Sequence, residues 1–161
     1  MALDPNRWTL KTQEAFTSAT ELARTRANPE ITPDHLLAAL AAQQDGVVVP
    51  ILQRVGADLL AVRNQVEESL AKLPRAYGGE TRIGKALTEV LEVAERALAA
   101  GIAAAMPGSR LGDVSAAIGE TVMAAGYGVN TQFGGHGVGR TMHGDPHVPN
   151  RGERGKGALI Q

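Results

Sequence analysis

Apolar side chains recur every three or four residues along the first hundred positions, and then that rhythm gives way to glycine. Leu10, Ala15, Phe16, Ala19, Leu22 and Ala23 fall on one face of a helix over residues 10–26. Asn28-Pro29 ends it, because proline disfavours helical geometry in the residue before it. Thr32 then reads as an N-cap, with Pro33 at the first helical position and Asp34 near the positive helix end. Leu36, Leu37 and Leu40 supply the buried stripe of that second helix. Asp45-Gly46 breaks the chain before a short segment from Val47 to Val55. Asp58 caps a fourth helix that turns Leu59, Val62, Val66 and Leu70 inward, and Leu73-Pro74 closes it. Tyr77-Gly78-Gly79 has the composition of a linker. From Ala86 the pattern resumes through Leu91, Ala94, Leu98, Ile102 and Ala105, predicting one long helix with Gly101 as a mild weak point. Met106-Pro107-Gly108 stops it. A further helix runs from Leu111 to about Ala125, with Ser109 or Asp113 near its start and Gly126 as its C-terminal cap. Gly128 to Phe133 reads as an extended strand, and then comes a short hairpin or a loose tail.

The opening of the first module recurs 71 residues later: Ala15-Phe16 and Glu21-Leu22-Ala23 return as Ala86-Leu87 and Glu92-Val93-Ala94. The repeat then stops. Beyond the second copy lies a glycine-rich stretch without an upstream counterpart.

Composition sharpens this division. Of 19 glycines, 14 lie beyond residue 100, and three of the four histidines fall between 136 and 147. The 16 basic and 17 acidic side chains nearly cancel, so no strong field points to nucleic acid or an anionic membrane. There is no cysteine, which removes disulfides and thiol nucleophiles. No apolar run approaches the roughly 20 residues that span a bilayer, and the first thirty residues lack a signal-peptide core. The expectation is a soluble, cytoplasmic protein.

Two features of the front invite a chemical reading and do not sustain it. Gly79, Gly84 and Lys85 have the spacing of a phosphate-binding loop, but the next residue is Ala86, so the hydroxyl that would hold Mg²⁺ is missing. Leu73-Pro74-Arg75-Ala76-Tyr77 is also a poor strand to frame such a loop. His35 has no second histidine or carboxylate at ligand spacing on its helix, so it reads as a side chain that packs or bonds locally.

Four short helices and then the start of a second set resemble the Clp N-terminal domain. The matching residues are Thr12-Gln13-Glu14-Ala15, the run from Asn28-Pro29 through Thr32-Pro33-Asp34-His35 to Leu40, and the second start at Ile83 to Ala97. The resemblance covers about residues 5–97. It implies two pseudo-repeats of four helices at the front of Clp chaperones and disaggregases, with a substrate-contacting surface across both. Here the second repeat stops after its first helix, so half of that surface is expected to be missing, together with the ATPase modules.

The back carries Gly134-Gly135-His136-Gly137-Val138-Gly139-Arg140-Thr141-Met142-His143-Gly144-Asp145-Pro146-His147. Glycines flanking a histidine let the backbone approach closely and give the imidazole room to reach a metal or substrate. By residue chemistry alone, a flexible tail with idle histidines stays open. The full string is similar to the type I methionine aminopeptidases, as are Pro107-Gly108-Ser109-Arg110-Leu111-Gly112-Asp113-Val114, Ala116-Ala117-Ile118-Gly119-Glu120 and Gly126-Tyr127-Gly128-Val129. This resemblance spans about 95–161. It implies a pita-bread fold in which His136 is the single histidine ligand of a two-metal centre and His143 contacts the substrate peptide. The family uses Co²⁺, Mn²⁺, Fe²⁺ or Zn²⁺ to activate a bridging water. Its two aspartates belong upstream, where this chain carries Clp-like helices, and its two glutamates belong beyond Gln161. Asp113 and Asp145 match no ligand position, and Gly144 replaces a common acidic residue. The expectation is therefore an idle site that needs no cofactor.

Together these readings predict a mainly α fold: a four-helix Clp-type repeat, a long bridging helix, a second helix, and a glycine-rich strand or loop tail from a pita-bread fold. Residues 1–76 form the first repeat, 77–97 the truncated second repeat and 98–161 the partial aminopeptidase segment. The joint falls near residues 94–98. The expected function is binding of unfolded polypeptide or a Clp-type protein partner, with metal-dependent removal of N-terminal methionine as the alternative. Exposed helix faces also imply self-association.

Overall fold

The computed structural model describes residues 5–141 and 143–161; Met142, within the histidine string, lies outside them. Helices dominate. In chain order they are α1 (Leu10–Thr25), α2 (Pro33–Ala42), α3 (Val48–Arg54), α4 (Leu59–Ala71), α5 (Lys85–Ala104) and α6 (Leu111–Ala124). Four short strands join them: β1 (Glu30–Ile31), β2 (Arg82–Ile83), β3 (Gly134–Gly137) and β4 (Gly144–Pro149). The chain divides into two compact units, one ending at Leu91 and one beginning at Glu92, so the break falls inside α5.

In the first unit, Thr9 caps α1 by accepting from the Thr12 amide at 3.2 Å. Ala15, Ala19 and Ala23 are wholly buried at four-residue spacing, so the packed face of α1 is lined with small side chains. Trp8 meets Phe16 edge-to-face with ring centroids 5.2 Å apart. The core gathers Ala19, Ala23, Ile31, Ala39 and Leu87, with Phe16, Leu36 and Leu91 packed against it. Phe16 and Leu87 hold equivalent places in the internal repeat, so the second copy's opening completes the core of the first. The α2 stripe differs from expectation. His35, Ala39 and Ala41 are its buried positions, whereas Leu36, Leu37 and Leu40 are half-buried. Asp58 caps α4 through the amides of Leu60 and Ala61, and Val66 and Leu70 turn inward as the spacing predicts.

One pairing has no forewarning in the periodicity. β1 and β2 run parallel, with Glu30 opposite Arg82 and Ile31 opposite Ile83. They straddle the whole α2–α4 segment, and the Arg82–Glu30 ion pair at 3.1 Å lies exposed.

His35 is wholly buried, and its bonding fixes its chemistry. The Thr32 amide donates to Nδ1 at 3.0 Å, so Nδ1 must be the unprotonated nitrogen. The proton therefore sits on Nε2, 3.1 Å from Asn28 Oδ1, and Asn28 Nδ2 in turn donates to the Pro74 carbonyl at 2.8 Å. Burial lowers the His35 pKa from 6.5; Asp34 opposes the shift and Arg26 adds to it. The unfolded chain thus binds a proton at a higher pH than the native one does. This contribution to stability is complete above about pH 6.5 and is lost as the pH falls below it. Urea midpoints should drop between pH 7.5 and 5, and the His35-dependent part should vanish in His35→Gln. Glutamine can still accept from the Thr32 amide, as in a capping box, but does not titrate.

In the second unit, α5 and α6 approach closely at Gly101. A β-carbon there would sit 2.8 Å from Ile118 Cγ1, so this glycine is a packing contact rather than a weak point. Arg110 is the N-cap of α6, and Asp113 accepts from its amide at 2.7 Å. Gly126 ends the helix region with φ of 84°. Residues 128–133 are not a strand; the strand starts at Gly134. β3 and β4 form an antiparallel hairpin, with an irregularity between His136 and Gly137. The last ten residues run back along the start of α6. Leu111 and Gly112 donate to the carbonyls of Ala158 and Lys156, and Gly108 and Ile160 close further bonds with Ile160 and Ser109. These bonds satisfy helix-end amides that would otherwise lack partners. The backbone groups of the glycine-rich region thus pair within the chain, as the hairpin and not the loose tail.

Candidate functional site

The hairpin brings two of its histidine rings together. His136 lies on β3 and His143 in the connection to β4, with ring centroids 4.4 Å apart and tilted by 40°. His147 on β4 is the register partner of His136. Glycine makes this geometry possible. A β-carbon at Gly137 would meet the Asp145 carbonyl oxygen at 2.0 Å, and one at Gly134 would meet that of Val148 at 2.6 Å. All three imidazoles are exposed.

His136 Nδ1 lies 3.0 Å from the Gly137 carbonyl, so it carries the proton and donates. That leaves the lone pair on Nε2, the arrangement suited to a metal-ligating histidine. The rest of a cage does not assemble. Among the described residues, no group of three or more histidine or carboxylate side chains could hold a metal ion. The Asp113 carboxylate is occupied elsewhere, accepting from the amides of Arg110 and Gly155, which hold its pKa below the usual value. Glu120 pairs with Arg154. The residues present therefore do not fit the two-metal centre that the histidine string implies. Two imidazoles, exposed and without carboxylates, cannot bind a pair of hard cations.

The first unit presents a different surface. A cleft of about 560 Å³ is lined by Arg24, Asn28, Tyr77, Glu80, Thr81 and neighbouring backbone, and is polar in character. Tyr77 in its lining is itself exposed, and the unit's other exposed large apolar side chains are Leu10, Val47, Val55, Leu60 and Ile83. Gln43 Nε2 donates to the Lys11 carbonyl and Lys11 Nζ to that of Gln44, which brings the start of α1 and the turn before α3 to the same end of the unit. Leu10, next to Lys11 in sequence, and Val47, three residues past Gln44, are 76% and 71% exposed.

Comparison with known proteins resolves the two halves. The family model of the Clp repeat (R) N-terminal domain matches residues 7–101, and that of metallopeptidase family M24 matches residues 75–160. The chain belongs to both families. The two matches share residues 75–101, which include most of α5. The Clp part is 47% identical over 70 residues to the chaperone protein ClpB of Corynebacterium diphtheriae, covering 44% of this chain and 8% of that protein. The M24 part is 40% identical over 78 residues to the methionine aminopeptidase of Clostridium acetobutylicum, covering 48% of this chain and 31% of that enzyme. The chain thus spans less than a tenth of its ClpB relative and under a third of its aminopeptidase relative. In fold it is like the N-terminal domain of the ClpV1 ATPase from Escherichia coli, with a TM-score of 0.54 and 24% identity over 71% of this chain and 69% of that one. The M24 part is a fragment that carries the histidine string.

Sequence reasoning placed His136 and His143 apart in role, without predicting that their rings would lie side by side. It missed Asn28 as a structural partner of His35. An amide side chain in the Asn28-Pro29 stop, seven positions before a histidine with no ligand partner of its own, was the available signal.

Proposed function

We propose that this chain is a non-enzymatic module that binds exposed apolar segments of other polypeptides. What carries the reading is the likeness of the first unit to the chaperone ClpB, on a unit that gathers a buried core of Ala19, Ala23, Ile31, Ala39 and Leu87. The contact is assigned to the apolar end of that unit, around Leu10 and Val47, rather than to the polar cleft beside Tyr77. No metal or cofactor takes part, and the site of action is the cytoplasm. Among the described residues, no helix is long and apolar enough to cross a membrane.

Fluorescence anisotropy with labelled casein, a permanently unfolded chain, tests this. Binding is expected with Kd on the order of 10–100 µM. EDTA should leave it unchanged, and the Leu10→Ser/Val47→Ser double variant should weaken it several-fold. Absence of binding, or no effect of the double variant, would overturn the reading. The same preparation with Co²⁺ or Mn²⁺ should release no methionine from a Met-Ala peptide. Release that disappears in His136→Ala would restore the aminopeptidase reading instead.

A further inference from the structure

Two glycines bring the imidazoles of His136 and His143 together. Gly137 and Gly144 are register partners that close the hairpin loop, and each directly follows one of the histidines. A β-carbon at Gly137 would strike the Asp145 carbonyl, so the strands can approach this closely only at glycine. The loop between them folds back on itself. The Gly139 amide donates to the Thr141 carbonyl at 3.2 Å, and Thr141 Oγ1 to that of His143 at 3.4 Å. The result is a ring-centre separation of 4.4 Å at two exposed positions.

Nothing else in the hairpin occupies these rings. His136 Nδ1 donates to the Gly137 carbonyl, which leaves the lone pair on Nε2. Among the described residues, no group hydrogen-bonds to that nitrogen or to the His143 ring. His147, the register partner of His136, does not make a third: its Cε1 lies 3.0 Å from where a β-carbon of Gly134 would stand, and no trio of ligands forms.

This donor set excludes a pair of hard cations, but it suits one borderline cation. Imidazole nitrogen is a ligand for copper, nickel and zinc, whereas magnesium and manganese take carboxylate and water oxygen. Ring separation chooses among the first three. With a metal–nitrogen bond of about 2.0 Å, an imidazole centre stands about 3.2 Å from the ion. Two such rings are about 4.5 Å apart across a right angle and about 5.2 Å apart across a tetrahedral one. The observed 4.4 Å fits the right angle, the bite of neighbouring positions in the tetragonal coordination of Cu²⁺ and Ni²⁺. Tetrahedral Zn²⁺ would need the rings to part. Copper binds such ligands more tightly than nickel does. We propose that His136 and His143 chelate one Cu²⁺ ion through a nitrogen of each ring, with water in the other positions. The site belongs to the second unit, and the polypeptide-binding reading does not depend on it.

Calorimetric titration of the full chain should show one Cu²⁺ per chain, with Kd on the order of 10 µM. Zn²⁺ should bind at least about tenfold more weakly, and Mn²⁺ and Mg²⁺ not measurably. His136→Ala and His143→Ala should each weaken copper by about tenfold or more, because a single imidazole loses the chelate. His147→Ala should change the affinity less than about threefold. Pulsed electron paramagnetic resonance on the unsubstituted, copper-loaded protein should count two coordinated imidazoles, a readout that no misfolded variant can disturb. No copper binding, unchanged binding in either of the first two variants, an equal loss in His147→Ala, zinc as tight as copper, or an imidazole count other than two would each overturn the proposal. So would uptake of two Mn²⁺ ions per chain, which would restore the two-metal centre. Casein binding should be the same with and without copper, so this test and the one for polypeptide binding fail separately.

Discussion

Leu87→Ala should lower the unfolding free energy of the first unit by about 3 kcal/mol, the largest effect expected of a single truncation there. Leu87 is 0% exposed and, with Ile31, is one of the two large side chains in a buried core whose other members are Ala19, Ala23 and Ala39. Alanines cannot move inward to fill the void, because their side chains already end at the β-carbon. Only Phe16, Leu36 and Leu91 at its edge can lean toward the void, so it closes in part, which places the cost in the middle of the range for such truncations. Trp8 is the only tryptophan and packs on Phe16, so its fluorescence reports this unit alone. Urea unfolding monitored at that signal should show a lower midpoint with an unchanged slope. Leu60→Ala, at a 66% exposed position, should fall within about 0.5 kcal/mol of the parent. If Leu87→Ala behaved like Leu60→Ala, α5 would not be closing the first core.

That role of Leu87 shows what was legible and what was not. The helices declared themselves because their apolar spacing, caps and proline stops agree at each end. α5 and α6 begin or end within a residue or so of the expected positions. The β1–β2 pair did not, because two-residue strands leave no alternation to detect and their partners lie about fifty residues apart. Likewise, the α2 stripe tracked leucine in the sequence but tracks His35 and Ala39 in the fold. A histidine can be the buried position when Thr32 and Asn28 satisfy both ring nitrogens, and no periodicity reports that.

The candidate site divides in the same manner. The histidine string stood out through glycines on both sides of His136, and of these Gly134 and Gly137, though not Gly135, prove to be places where strands approach too closely for a side chain. Ring proximity between His136 and His143 depends instead on an irregular register between His136 and Gly137, which local composition does not encode. Leu98 and Ile102 announced α5 through their apolar spacing, yet both side chains prove exposed. The packed face of that helix is instead the one with Ala97 and Gly101, where Gly101 faces Ile118.

Gly112→Ala is the second large effect, and here propensity and packing point in opposite directions. Residue 112 lies in the first turn of α6, where alanine favours the helix over glycine by about 1 kcal/mol. A β-carbon at this site, however, would lie 2.1 Å from the Glu153 carbonyl oxygen and 2.6 Å from that of Lys156. Both obstacles are backbone, so no side-chain rotation relieves them. The C-terminal segment must lift away, breaking the bonds from Leu111 and Gly112 to Ala158 and Lys156. Asp113 would also lose the Gly155 amide, one of the two donors that hold its carboxylate ionised. Overpacking of this kind costs about 1–3 kcal/mol and outweighs the gain in propensity. Amide exchange at Leu111, Gly112 and Ile160 should accelerate, and trypsin should cut sooner at Arg151, Arg154 and Lys156. Gly128→Ala, where a β-carbon meets nothing within 4 Å, should change neither readout. Unaltered exchange in Gly112→Ala would mean that the tail does not rest on the start of α6. The α6 amides would then need water as their partner, and the second unit would lose the contact that orders its last ten residues.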